Sequence, residues 1–358
     1  MKKVWNIGII GLGGIAQMSH LRAFGLPENS KIIAGCDLNP DNFKVTEKEW
    51  GLNNFYTNYI EMMEKEKPDA VVVGTPNFTH KDISIAALRR NISVLCEKPV
   101  CRTAPEAEEL RREVKASKAH FMIGQCMRFR KEAEKIKTLI AENKLGRIYY
   151  CKACYLRQRG IPGFGTWFTD SSRAHGGVIL DLGVHMLDYI WYLLGKPPFK
   201  SVSAMKSGNI GRRKQNGEEA GFDKSEYPST YRGPEKQLFD VEEAGAAFIR
   251  FENGTSFQLE VSWAMNIEKD ISQGMILGDK GGVTLSPVIY THEQGTKMLS
   301  EELPVAPEPS ADIQARVFLD LLAGKIPNPV PIDEGVTIMK VLDAVYESAA
   351  SNKEITLN

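Results

Sequence analysis

The chain lacks an excess of either charge: 45 Lys and Arg balance 45 Asp and Glu. Such a balance leaves no electrostatic footprint for nucleic acid or for an anionic membrane surface. It also lacks a long apolar run; nothing approaches the ~18 uninterrupted apolar residues that a membrane-spanning helix needs. Histidines are few, namely His20, His80, His120, His175, His185 and His292. Only His175 and His185 lie near one another, at a spacing that suits no single metal ion on a helix, so no metal is expected. Cysteines are few as well, six in 358 residues, and they make no disulfide framework. Cys151 and Cys154 are spaced C-x-x-C, but they fall in a strand-like segment where residues three apart face opposite ways. Reduced thiols in a cytoplasmic protein are the expectation. No internal repeat is visible.

What remains is ordinary for a globular protein, 42% hydrophobic and 25% charged, and the length favours two domains. Met1-Lys2-Lys3 before Val4–Ile10 mimics a secretory leader, but the apolar run leads straight into a glycine motif and reads as a buried strand. Gly11-Leu12-Gly13-Gly14-Ile15-Ala16 matches G-x-G-x-x-G/A, and a helix over Ile15–Leu26 follows. Gly11 allows the tight turn, Gly13 lets a pyrophosphate approach the backbone, and Ala16 lets the helix pack on the strand. A second strand, Lys31–Cys36, ends in Asp37, where an acid can accept the ribose hydroxyls of a dinucleotide and repel a 2′-phosphate. NAD is therefore favoured over NADP. Asp37 can equally cap a helix before Pro40, and the two roles are compatible.

Strands and helices go on alternating through Gly124, which predicts a doubly wound parallel sheet, and ligands of such sheets bind at the carboxyl ends of the strands. Thr75, Pro76 and Asn77 follow one strand, and Glu97-Lys98-Pro99 another. A lysine held between a strand end and a proline is a poor place for a merely solvated charge. His80 either touches the cofactor or caps the helix starting near Thr79.

Beyond Gln125 the pattern changes. A helix over Lys131–Asn143 and a strand over Ile148–Leu156 precede a glycine-rich loop, whose Arg157 and Arg159 face substrate or solvent. Residues 172–194 then form a core-like helix interrupted by Asp181, His185 and Asp188. Asp181 and His185 are one helical turn apart; as an isolated pair they suit a structural hydrogen bond as well as a catalytic one. Asp188 reads as structural. Gly183 in that helix marks either a nicotinamide lying against the backbone or tight packing. Later strands, a hairpin at Asn253-Gly254 and closing helices over Ile313–Ala323 and Val336–Ala350, the last capped by Asp333, predict a mainly antiparallel sheet with helices on one face. The polar segment Lys206–Gln237 suits a lid, an oligomer arm or local disorder.

Together these motifs resemble the glucose–fructose oxidoreductase, inositol dehydrogenase and MocA-type family. The resemblance covers nearly the whole chain and rests on Gly11–Ala16, Glu97-Lys98-Pro99 and Gly176–Asp188, supported by Asn253-Gly254-Thr255 and Tyr346-Glu347-Ser348-Ala349. It implies an NAD(P)-dependent enzyme acting on a secondary hydroxyl of a sugar, inositol or related polyol. The dinucleotide domain would span 1–125 and the substrate and oligomerisation domain 126–358, with the last helix packing back on the first. Lys98 corresponds to the family's catalytic lysine, and Asp181 and His185 to its Asp and His. The chain departs from the family at His175, where many members carry a third glycine, and in the length of 206–237. A homodimer or homotetramer through the second sheet is expected, with no nucleic-acid or membrane partner.

The chemistry expected of these residues is specific. His185 would take the hydroxyl proton, Asp181 would orient the ring or hold the substrate, and Lys98 would stabilise developing alkoxide charge. The cofactor would meet Gly11, Gly13, Gly14, Ile15, Ala16, Asp37, Thr75, Pro76, Asn77, His80, Glu97 and Lys98. The alternatives are an NAD-dependent glycosidase using transient oxidation and a non-catalytic dinucleotide sensor.

Overall fold

The computed structural model describes residues 3–216 and 238–357. Its first half is a sheet of short β-branched strands buried on both faces. β1 (Trp5–Ile10) leads through a π-helical turn (Ala16–His20) into α1 (Leu21–Gly25). β2 (Ser30–Cys36), α2 (Asp41–Trp50), β3 (Phe55–Tyr56), α3 (Tyr59–Glu66), β4 (Ala70–Val73), α4 (His80–Leu88), β5 (Ser93–Glu97), α5 (Ala104–Ala116) and β6 (Phe121–Gly124) follow. The strands pair in the order β3-β2-β1-β4-β5-β6, all parallel. Helical crossovers make this order, and it lines up Gly11, Asp37, Thr75, Lys98 and Gln125 along one carboxyl edge. The first helix is not the uninterrupted one expected from Ile15 to Leu26: the π turn adds a residue to one turn and changes which side chains face the sheet.

The second half contains α6 (Lys131–Ala141), β7 (Ile148–Leu156), α7 (Ser171–Ala174), a π-helical turn (Ile179–Gly183) continuing as α8 (Val184–Leu193), β8 (Phe199–Ser207) and α9 (Asn209–Gln215). Then come β9 (Ala244–Phe251), β10 (Ser256–Ser262), β11 (Ile271–Gly278), β12 (Gly281–Leu285), β13 (Val288–Gln294), β14 (Lys297–Glu302), α10 (Ser310–Leu322), α11 (Ile332–Ser351) and β15 (Ile355–Thr356). Nine strands pair in the order β14-β13-β12-β11-β7-β10-β9-β8-β15, antiparallel except for β7 beside β10. Residues alternate in burial along β10: Phe257, Leu259 and Val261 are buried under the helices, while Gln258 and Glu260 are on the other face. α8 packs against β7, and α11 against both β8 and α5, so the last helix touches elements of both sheets.

Two expectations need correction, and two strands went unannounced. Asn209–Gln215 is helical rather than loop, and the rest of the predicted 206–237 loop, from 217 on, lies outside the described residues. β13 and β14 have no apolar alternation strong enough to announce them, because they sit at a polar, half-exposed sheet edge. Asp333 does not cap the last helix; Pro331 precedes it, and Asp333 lies in its first turn paired with Lys115 at 3.0 Å. Among the described residues no helix is long and apolar enough to cross a membrane.

Candidate active site

The glycine loop turns at Gly11, whose φ is +91° and where an added Cβ would stand 2.7 Å from the backbone of Gly74 and Thr75. Only glycine satisfies both constraints. At Gly13 the same Cβ would meet nothing within 4 Å, which leaves backbone open to an approaching ligand. Asp37 anchors the loop: Oδ2 accepts from Leu12 N at 2.8 Å and Asn42 Nδ2 at 2.9 Å, and Oδ1 accepts from Asn39 N at 2.8 Å. A carboxylate offers about four acceptor sites, so Oδ1 retains capacity for a hydroxyl. Asp37 does not cap α2, which begins after Pro40 without a side-chain cap.

Lys98 follows β5, and the Lys98–Pro99 peptide is cis. Its Nζ donates to Asp181 Oδ1 at 2.9 Å and to the Asp181 carbonyl at 3.1 Å. The other carboxylate oxygen accepts from Trp263 Nε1 at 2.9 Å. Lys98 and Asp181 still expose 15% and 21% of their side chains, enough for a small molecule to reach them. Burial disfavours both charges, but each outweighs that penalty for the other: Asp181 holds Lys98 above the ordinary lysine pKa, and Lys98 with Trp263 holds Asp181 below the ordinary carboxylate value. His185 lies one turn further on. Burial first, then the neighbouring ammonium of Lys98, depress its pKa to about 3, so the ring is neutral. Its Nδ1 is buried without a partner.

The expected orienting bond from Asp181 to His185 is absent among the hydrogen bonds of the described residues. Lys98 and Trp263 take both carboxylate oxygens instead, because an ionised carboxylate gains more from an ammonium than from a neutral imidazole. Asp188 pairs with Arg128, with Nε to Oδ2 at 2.8 Å and both side chains almost fully buried. Arg128 also bonds Glu334, which in turn holds Lys196. This buried network fixes α8 to α11. At Gly183 a Cβ would make only ordinary contacts, 3.7 Å from Ile179 and Val261, so tight packing does not account for that glycine. Arg157 and Arg159 bond within their own region, Arg157 to Tyr155 Oη at 3.1 Å and Arg159 to the Met265 carbonyl at 3.0 Å.

Thr75 and Pro76 lie at the carboxyl end of β4, beside the glycine loop. Asn77 is buried and donates Nδ2 to the Ala174 carbonyl at 3.0 Å, tying the two halves together, while its Oδ1 has no partner. Two candidates lose a direct role. His80 is buried, and both ring nitrogens lie 2.8 Å from backbone oxygens, of Pro99 and Thr75; it neither caps α4 nor has a ring nitrogen left for a cofactor. Glu97 is buried, with Oε1 3.0 Å from His20 Nε2 and Oε2 accepting from Lys98 N at 3.2 Å. Both groups brace the site from behind.

Trp263 carried no signal in the sequence: it ends a strand and looks like any core aromatic. Glu242 is another such residue. It accepts from Gly177 N at 2.8 Å, Ile179 N at 3.1 Å and Tyr346 Oη at 2.8 Å, so a buried carboxyl seats the start of the π turn that carries Asp181. His175 is exposed and adopts φ +70°, the strained backbone that a glycine would relieve. An aromatic series runs from Phe78 through Trp167 and Phe168 to Trp263, alongside the Lys98–Asp181 pair.

Two family models match. One, described as an oxidoreductase family with an NAD-binding Rossmann fold, covers residues 5–125; the other, the GFO/IDH/MocA C-terminal domain, covers residues 133–284. D-glucoside 3-dehydrogenase of Escherichia coli (strain K12) is 30% identical over 354 residues, 98% of this chain and 97% of that protein. Glucose-6-phosphate 3-dehydrogenase of Bacillus subtilis (strain 168) is 32% identical over 217 residues, 59% of each chain. Levoglucosan dehydrogenase, solved with NADH and levoglucosan, superposes with a TM-score of 0.82 at 21% identity over 99% of both chains.

Proposed function

Since the chain belongs to the GFO/IDH/MocA oxidoreductase family, we propose that it is an NAD-dependent dehydrogenase oxidising a secondary hydroxyl of a glucose-type sugar, at carbon 3 of the ring. The observation that carries this is the juxtaposition of a charged Lys98, an ionised Asp181 and a neutral His185 at the carboxyl edge of the first sheet. Two relatives named as 3-dehydrogenases support the choice of carbon.

The residues present fit the dinucleotide. Gly11, Gly13, Gly14, Ile15 and Ala16 would hold its phosphates, Asp37 keeps acceptor capacity that would suit the ribose, and Thr75, Pro76 and Asn77 would complete the cofactor side of the edge. When bound, the nicotinamide supplies a hydride acceptor. Lys98 donates to the reacting oxygen and offsets the charge that develops there. His185 takes the hydroxyl proton, and with the carbon-bound hydride passing to that acceptor the alcohol carbon becomes a carbonyl. A ring with a pKa near 3 is a weak base at rest. Burial is the larger cause of that depression, but negative charge growing beside Lys98 offsets the part due to the ammonium, so proton transfer becomes more favourable as the carbon–hydrogen bond breaks. Asp181 keeps Lys98 charged and aimed.

On this reading residues 1–125 hold the cofactor and 126–358 the sugar. The protein works in the cytoplasm, consistent with its free, mostly buried cysteines, and pairs as a dimer or tetramer through the open face of the second sheet. The test is NADH formation over a panel of glucosides, glucose and inositols, with NMR of the product. A ketone at carbon 3, lost in Lys98→Met and His185→Ala with NAD binding retained, supports the assignment. Wild-type turnover in either variant removes that residue, and oxidation at another carbon removes the regiochemistry.

A further inference from the structure

His20 lies on the π-helical turn directly after the glycine loop and is 2% exposed. A regular helix would not add the residue that sets its direction. Its Nε2 stands 3.0 Å from Glu97 Oε1, within ion-pair distance though not aligned as a hydrogen bond, and no other partner among the described residues reaches that nitrogen. Glu97 is itself confined. A Cβ on Gly124, its partner across β5 and β6, would sit 3.1 Å from the Glu97 Cα and 3.2 Å from the carboxyl carbon. The second oxygen of Glu97 accepts from the backbone N–H of Lys98 at 3.2 Å. A continuous line therefore runs from the helix that follows the glycine loop, through His20 and Glu97, to Lys98 and Asp181.

We propose that His20 is a positioning residue for Lys98, acting through Glu97: it keeps the buried carboxylate ionised and fixed, and ties the lysine to the helix that receives the dinucleotide. This rests on the dehydrogenase reading given above. Burial alone would drive Glu97 toward its protonated form, and His20 leads the groups that hold its pKa below the ordinary value, followed by Lys98. The ionised Glu97 in turn adds to the negative field of Asp181 on both Lys98 and His185, while Cys126 faces Lys98 as a thiol pushed up to about 11 and so stays neutral. A protonated Glu97 would weaken that field and lose its grip on the backbone of Lys98.

The experiment compares wild type with His20→Phe, His20→Gln, Glu97→Gln and the double variant His20→Phe/Glu97→Gln. In His20→Phe, kcat should fall at least about tenfold, with KM for sugar and Kd for NAD changing less than about threefold. Its acid limb should move to higher pH, because Glu97 now has to lose a proton for activity; the folded pKa has risen where in wild type it lies low. His20→Gln keeps an N–H donor and should restore most of kcat and the wild-type profile. The double variant should be no worse than Glu97→Gln, as expected for residues acting as one unit. Independently of turnover, infrared spectra of His20→Phe titrated from about pH 8 to about pH 5 should show a protonated carboxyl band that disappears in the double variant. An unchanged pH profile and no such band overturn the proposal, as does a loss of NAD affinity as large as the loss of kcat. A wild type inactive on every sugar overturns the function instead, and the infrared band still decides the role of His20. If His20→Phe does not fold, His20→Leu takes its place in every arm.

Discussion

Both oxygens of Asp181 are engaged, one by Lys98 at 2.9 Å and the other by Trp263 at 2.9 Å, so the acid works on the lysine and not on the imidazole. Hydrogen bonds to charged groups contribute about 1.5–3 kcal/mol. Trp263→Phe should therefore lower kcat/KM about tenfold to a hundredfold while leaving the Kd of NAD unchanged, as steady-state kinetics and fluorescence titration will show. Asp37 anchors Leu12 and, on the proposed reading, would also offer an oxygen to a ribose. Asp37→Ala should weaken NAD binding and narrow the NAD over NADP preference, read from paired Kd values. The sequence made Lys98, Asp181 and His185 legible because their spacing follows known motifs. It did not reveal Trp263 and His20, which meet the site through tertiary packing that no local pattern encodes, and Glu97, expected at the cofactor, instead accepts from the Lys98 backbone. His80 shows the converse: its place in the sequence suits a cofactor contact or a helix cap, yet its two nitrogens are spent on backbone oxygens.

At the scale of elements, α8 is held by the buried pair Arg128–Asp188 and by Glu334 at the start of α11. Removing one partner leaves an uncompensated buried charge, which costs about 3–5 kcal/mol. Asp188→Ala should lower the free energy of unfolding by that amount in a urea titration, and Arg128→Met by a similar amount. Regular elements were legible where periodicity was strong: β7 has the bounds expected from its pattern. They were not legible where polar residues line an exposed edge, as in β14. Nor were the two π turns, because an extra residue in one turn leaves the composition of a helix unchanged.

For the whole molecule, the buried histidine makes folding depend on pH. The pKa of His185 is about 3 in the fold and about 6.5 unfolded. Below ~6.5 the unfolded chain binds a proton that the folded chain refuses, so stability is lost as pH falls from there toward 3. The slope from this group approaches about 1.4 kcal/mol per pH unit. His80, also pushed down by burial, adds to it. In urea titrations between about pH 6 and pH 4, His185→Phe should show a shallower decline than wild type. The open face of the second sheet carries Lys152 paired with Glu260 at 2.8 Å and Tyr150 bonded to Gln258 at 2.8 Å, with Phe248 half-buried beside them. If two copies meet there, Phe248→Glu should lower the mass measured by light scattering without altering circular dichroism. Two-sheet architecture was legible from the switch between helical alternation and a hairpin-rich half; which surfaces meet was not.

The two π turns carry one further consequence, for the way this sequence tolerates change in length. Each π turn places one residue more than an α turn before the next element, and one residue is worth about 100° of helical phase. Beyond Gly183, α8 is locked by Asp188; before Ile179, the chain is seated on Glu242. Deleting Leu180 keeps every polar group but turns Asp181 away from Lys98. Insertions and deletions in this stretch are thus more damaging than substitutions, and a length change there marks a relative that has given up this chemistry.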